Sequence, residues 1–245
     1  MTKILITGYK GFIGSYLWNY IQNYDSRIEL DGIDFPDDVG DFKTDKIYDV
    51  VIHLAAFAAL RDSIENPDKF WENNVVKAQP IFDYCRKNNV RLLYASSAGA
   101  HRWWQNPYAI TKKVNEIQAP HNSVGMRFFN VWAEEGSKKE MLFRKLQDNT
   151  ATYITRHKRD YIHVHDIATA ILTLIHSNFR GHIDIGTGKS VPVMDIAKSM
   201  RRKLPIKEDT PGEPDSLCAD TKQMKDLGWN STIDIMDVIG VNDLL

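Results

Sequence analysis

Thr7-Gly8-Tyr9-Lys10-Gly11-Phe12-Ile13-Gly14 lies between a β-branched run at residues 3–7 and a segment whose apolar positions, Phe12, Ile13, Leu17, Trp18 and Ile21, recur at helical spacing. A strand that exits through glycines into an amphipathic helix is the opening of a nucleotide-binding βα unit. Gly8 makes the tight turn, Gly11 lets a pyrophosphate approach the backbone, and Gly14 lets helix and strand pack closely. The first N–H groups of the helix, beginning at Phe12 and Ile13, then face the phosphates with the positive end of the helix dipole. Gly8, Gly11, Phe12, Ile13 and Gly14 are therefore expected to contact a dinucleotide.

The next strand, residues 28–34, ends in Asp34, near the interval of about 20 residues at which an acid meets the adenosine ribose. A carboxylate there accepts hydrogen bonds from ribose hydroxyls and repels the extra phosphate of NADP, so the expected cofactor is NAD. Asp41 and Phe42 are expected to flank the adenine.

Outward from the glycine turn, short apolar runs alternate with longer helical patterns. Strands are expected at residues 49–54, 91–96, 124–129 and 182–185, and helices at 69–87, from Pro107, and at 167–177. This alternation implies an α/β fold, a Rossmann-type doubly wound parallel sheet over residues 1–186. Residues 187–245, punctuated by Pro192, Pro205, Pro211 and Pro214, read as a small C-terminal substrate-binding lobe, with residues 131–155 contributing to it. No internal repeat and no flexible linker separates the two.

Composition excludes several classes of function. Among 245 residues the formal net charge is -1, with no basic stripe, which argues against nucleic-acid binding. Cys85 and Cys218 stand in unrelated contexts, giving neither a disulfide framework nor metal-ligand spacing, and suit a reducing cytosol. The chain opens on a strand-like run, and its longest mostly apolar stretch, residues 50–60, is too short to span a bilayer, so a cytoplasmic protein without a membrane partner is expected. His163 and His165 beside Asp166 read as structural, with Asp166 as a helix N-cap and His163 packed near it; no metal site is expected.

The most chemically specific feature is Tyr108-Ala109-Ile110-Thr111-Lys112, because residues four apart share one helix face. An ammonium there can lower the pKa of a phenol, which near 10 is otherwise too weak a base at neutral pH.

With this pair in place the chain resembles the extended short-chain dehydrogenase/reductase family, and within it the NAD-dependent nucleotide-sugar epimerases and dehydratases. The resemblance also includes His53-Leu54-Ala55-Ala56, Asn73-Asn74-Val75, Ala95-Ser96-Ser97-Ala98, Arg127-Phe128-Phe129-Asn130-Val131, Arg159-Asp160-Tyr161, Asp184-Ile185-Gly186 and Ala219-Asp220-Thr221. It implies Tyr108 as the acid/base exchanging the proton of a sugar hydroxyl, Lys112 on the nicotinamide ribose, and Ser97 hydrogen-bonded to the reacting oxygen. Leu54, Ala55, Ala56 and Asn74 would lie at the cofactor, and Asn130 and Arg159 at the substrate, Arg159 on the diphosphate.

The resemblance further implies a nucleotide-diphosphate sugar as partner and a homodimer. Dehydratases and decarboxylases of the family carry an acid after the serine; Ala98-Gly99 follows Ser97 here, which favours epimerisation, most simply at C4. Two alternatives stay open: an NAD(P)H-dependent reductase of a nucleotide 4-keto sugar, and a catalytically idle NAD-binding module. The loop between Ser97 and Tyr108 is short for the family and contains Trp103 and Trp104, which could stack on a base or sugar or pack as a hydrophobic loop.

Overall fold

The computed structural model describes residues 2–208 and 210–241. Residues 1, 209 and 242–245, at the ends of and within the two expected domains, lie outside the described residues. The strands in chain order are β1 Thr2–Thr7, β2 Ile28–Ile33, β3 Val50–His53, β4 Arg91–Ser97, β5 Ser123–Phe128, β6 Asn130–Trp132, β7 Lys158–His163, β8 Gly181–Ile185 and β9 Ser190–Pro192. Two compact units result: Met1–Arg127 with Ile171–Ile183, and Phe128–Ala170 with Asp184–Leu245.

The first unit carries the large sheet, ordered β2-β1-β3-β4-β5-β8, with β1 parallel to β2 and β3, and β3 parallel to β4. The strands are apolar runs without alternation because both sheet faces are covered: Ile4, Leu5, Ile6, Val51, Ile52, Leu92 and Leu93 are all fully buried. Strand order reverses between β1 and β3, which opens a crevice at their carboxyl ends. The glycine turn leaves β1 at that crevice.

Gly8 has φ of 73°, and its amide donates to the Ile33 carbonyl at 2.8 Å, fixing the turn against the end of β2. A Cβ at Gly14 would sit 2.1 Å from the Gly8 carbonyl oxygen, whereas one at Gly11 would meet that same oxygen at 3.1 Å. The third glycine thus lets the helix Phe12–Tyr24 close on the strand, and the second leaves its backbone approachable.

The helix expected at 69–87 is interrupted. Pro67–Trp71 is α-helical, Glu72–Val76 forms a π-helical turn, and Gln79–Asn88 resumes as α-helix. The extra residue in the turn brings Asn74 inside, 1% exposed, where its amide accepts from Phe57 N–H at 2.8 Å and donates to the Phe57 carbonyl at 2.9 Å. Periodicity reports a helix but not a wide turn within it.

The second unit is built on a small sheet, β6-β7-β9, with β6 parallel and β9 antiparallel to β7. Trp132, Phe143, Leu146, Ile154, Tyr161, Val193, Ile196, Ile235 and Ile239 form its core. Asp166 does not cap its helix. It lies in the first turn of Val164–Ile175 and accepts from Thr232 N–H, Thr232 Oγ1 and Ile233 N–H at 2.8–3.1 Å, because a fully buried carboxylate takes every donor within reach.

Gly14→Ala is expected to destabilise the chain by about 1–3 kcal/mol or more through the clash with Gly8, while Gly11→Ala costs less than about 1 kcal/mol. Urea unfolding of both variants checks the order; equal losses would contradict the assigned roles.

Candidate active site

Asn106-Pro107 starts the helix Pro107–Gln118 that carries the Tyr-x-x-x-Lys pair. The Asn106 side chain accepts from Ala109 N–H at 2.8 Å as the N-cap, and proline occupies the first helical position, where no N–H is needed. This start fixes Tyr108 in the first turn and Lys112 one turn later. The two meet as the spacing predicts: Lys112 Nζ lies 5.7 Å from the Tyr108 ring centroid.

Lys112 is 3% exposed, and its ammonium donates to the Ala95 carbonyl of β4 at 2.8 Å. Burial pushes its pKa down from 10.5 to about 8. Burial likewise raises the half-buried Tyr108 phenol, and a hydrogen bond with the Ser97 hydroxyl pulls in the opposite direction. Ser97 Oγ also accepts from Gly99 N–H at 3.1 Å, which holds the side chain at the end of β4. Tyr108, Lys112 and Ser97 are therefore brought together.

The cofactor positions converge on the same carboxyl edge of the first unit's sheet. Asp34 follows β2, accepting from Lys10 N–H at 2.7 Å and Phe35 N–H at 2.8 Å, so the carboxylate is anchored to the glycine turn itself. Ala55 N–H donates to Thr7 Oγ1 at 3.3 Å, and a Cβ at Gly8 would lie 2.7 Å from that nitrogen, so Leu54, Ala55 and Ala56 continue β3 directly past the turn. These close approaches form a backbone cradle suited to a pyrophosphate.

Asn74 sits beneath the β3 exit, its amide also donating to Thr111 Oγ1 at 3.2 Å. Asp41 ends a 3₁₀ turn, Val39–Asp41, and Phe42 packs edge-on against Tyr84 at 5.4 Å. In the second unit, Asn130 is exposed at the start of β6. Arg159, 8% exposed, donates to the Pro214 carbonyl at 2.8 Å, meets His157 Nδ1 at 2.8 Å and Glu213 Oε2 at 3.3 Å. Trp103 and Trp104 are exposed, their rings edge-on at 6.1 Å.

Three residues of this neighbourhood went unassigned in the sequence. His53 is buried at the end of β3 with its Nδ1 2.7 Å from Thr7 Oγ1; burial, aided by the Lys112 charge, drives its pKa down to about 3, so the imidazole is neutral. Asn115 donates to the Asn74 carbonyl at 2.8 Å, and Glu116 is buried among Ser96, Lys113 and Arg127. The run Tyr108, Lys112, Glu116 at spacing four was the available signal for the last. His163 bonds Glu134 at 2.9 Å and packs on Trp132, and His165 has moved into the following helix, so they share no ligand geometry.

A glycine-turn Rossmann unit whose β4 serine meets a Tyr-x-x-x-Lys helix defines a short-chain dehydrogenase/reductase of the extended type. The chain belongs to the NAD dependent epimerase/dehydratase family, matching it over residues 4–186. Protein CapI of Staphylococcus aureus is 30% identical, over 71% of this chain and 69% of its own length. UDP-glucose 4-epimerase of Pisum sativum is 25% identical, over 94% of this chain and 91% of its own. MoeE5 in complex with UDP-glucuronic acid and NAD shares the fold with a TM-score of 0.84 at 22% identity, covering 99% of this chain and 100% of that one.

The displaced Lys112 titration makes stability pH-dependent. Below pH 8 folded and unfolded chains both carry the proton; between about 8 and 10.5 only the unfolded chain does, so deprotonation stabilises the fold as pH rises. Relative to Lys112→Met, the wild type is expected to gain about 2 kcal/mol between pH 7.5 and 9.5, measured by urea unfolding. A gap independent of pH would place the ammonium in water.

Proposed function

We propose that this protein interconverts epimers of a nucleotide-diphosphate sugar, most simply at C4, with NAD as its resident cofactor. The observation that carries the proposal is the convergence of Tyr108, the Ser97 hydroxyl that lowers its pKa, and the Lys112 ammonium 5.7 Å from its ring, at the same sheet edge as the glycine turn and Asp34. The backbone around Gly8 and Gly11 fits a pyrophosphate, and Asp34, tied to Lys10 N–H, fits a ribose diol. When bound, NAD supplies a reversible acceptor for the hydrogen on the reacting sugar carbon.

The protein's own residues move the accompanying proton. Tyr108 takes it from the sugar hydroxyl, Ser97 hydrogen-bonds that oxygen, and the Lys112 charge stabilises phenolate. The residue after Ser97 is the buried Ala98, not an acid that could assist loss of water. That favours epimerisation over dehydration, in keeping with relatives named UDP-glucose 4-epimerase.

The second unit, Phe128–Ala170 with Asp184–Leu245, would hold the substrate through Asn130 and Arg159, the latter exchanging Glu213 for diphosphate oxygens. The proposal includes a cytosolic location, which two unpaired cysteines suit, and a homodimer. Trp71, 45% exposed, and Ile117, 75% exposed, are apolar surface that association would cover.

Tyr108→Phe is expected to cut epimer interconversion by about 10²–10⁴-fold while NAD stays bound in native mass spectrometry. The assay runs UDP-, GDP-, ADP- and dTDP-sugars in parallel. Net consumption of added NADH with a keto-sugar would establish the reductase instead, and bound NAD without turnover on any sugar would establish the idle module.

A further inference from the structure

Three consecutive residues of β4 engage three residues of the catalytic helix. The Ala95 carbonyl accepts from Lys112 Nζ at 2.8 Å, Ser96 Oγ donates to Glu116 Oε1 at 2.7 Å, and the Ser97 hydroxyl stands by the Tyr108 phenol and lowers its pKa. The helix partners, 108, 112 and 116, lie one turn apart on a single face. Of these contacts only the middle one joins groups with no part in the proton transfer proposed above.

Glu116 is costly to bury. Its side chain has no exposed surface, and the carboxylate takes Arg127 Nε at 2.7 Å and Nη2 at 2.8 Å, Ser96 at 2.7 Å and Lys113 at 3.3 Å. A buried ion pair of this kind is weak evidence for stability, since well-packed apolar groups would commonly serve as well; its attested use is to fix one register among several. Burial raises the carboxyl pKa, but Arg127 and Ser96 outweigh it and bring the value to about 2, so the charge is permanent. The guanidinium belongs to β5, the next strand of the sheet.

Resting on the epimerase reading of Tyr108, we propose that Glu116 is the positioning residue of the catalytic pair: its carboxylate, shared among Ser96, Arg127 and Lys113, sets the register at which Tyr108 meets Ser97. A helix sliding by one residue advances about 1.5 Å and turns about 100°, which would carry the phenol away from the serine. The Lys112 contact alone permits such motion, because a flexible four-carbon stem can follow a backbone carbonyl. The rigid Arg127 fork on Glu116 cannot.

Ser96→Ala and Glu116→Gln, made in the full chain with its bound NAD, test this. Each is expected to lower kcat by about 10- to 100-fold while KM stays within about two-fold and NAD content is unchanged. The double variant should be no worse than the stronger single one, because both cut the same link. Ser96→Ala removes one hydroxyl only, so it carries the test if Glu116→Gln does not fold.

A second readout is independent of turnover: the Tyr108 phenol titration, followed by ultraviolet difference against Tyr108→Phe. Ser96→Ala is expected to move it upward by about half a pH unit or more as the Ser97 hydrogen bond lengthens. If the wild type turns over no sugar, the epimerase reading falls, while a moved titration still supports positioning. Unchanged kcat and unchanged titration in folded Ser96→Ala would overturn it, whatever the loss in stability.

Discussion

The buried Lys112 ammonium is the interaction on which the chemistry proposed for the first unit depends. It is held by a carbonyl oxygen, not by a carboxylate, so its charge is oriented without being neutralised. A carboxylate partner would anchor the lysine more firmly and cancel the field that a phenolate requires. The low pKa of about 8 is the cost of that choice, because desolvation disfavours the cation. His53 nearby is kept neutral by the same burial, so it adds no positive charge beside Lys112. Neutral hydrogen-bonding groups, Ser63 on Tyr108 N–H and Asn115 on Asn74, complete the packing without adding compensating charge.

What the sequence disclosed, and what it withheld, follows from the range of the forces involved. The glycine turn, Asp34 and the helix start at Pro107 are local: each rests on backbone conformation within a few residues, and each is legible in composition and spacing. The Tyr108–Lys112 face is equally local, being one helical turn. The π-helical turn at Glu72–Val76 and the burial of Asn74 depend on a partner 17 residues away in the chain, Phe57, and no periodicity encodes it. Glu116 lay between these cases. Its spacing from Lys112 was visible, but its importance comes from Ser96 and Arg127, contributed by two other strands. Asp166 shows the same limit in the second unit: a capping residue type before a helix, it serves instead the backbone of residues 232 and 233.

The second unit is organised by buried carboxylates acting on loops. Asp160, with no exposed surface, accepts from Thr187 N–H and Oγ1, Gly188 N–H and Ala219 N–H at 2.7–3.1 Å, tying two loop segments to β7. Gly186 is required beside it, since a Cβ there would lie 2.8 Å from Asp160 Oδ2. Loops carry unsatisfied backbone donors, and a carboxylate satisfies several at once where a strand partner is lacking. This explains why a region with few and short strands nonetheless holds a defined core.

Arg159, the residue next to Asp160, sits in the same arrangement with the opposite charge. Its neighbours Pro214 carbonyl, His157 and Glu213 come from the residue just before β7 or from the segment following residue 209, and Glu213 also approaches His157 Nδ1 at 3.4 Å. The sequence around Pro211-Gly212-Glu213 contains no second arginine, and the Arg159 guanidinium that would meet a diphosphate is already engaged. Of its contacts, the carbonyl and imidazole orient the fork, whereas Glu213 supplies charge. A phosphate oxygen can take over the charged contact without disturbing the other two, and two negative groups would not share the fork without repulsion. Were a diphosphate to bind Arg159 as proposed, it would displace the Glu213 carboxylate, and the 210–214 segment is the part of the unit that would have to answer to it.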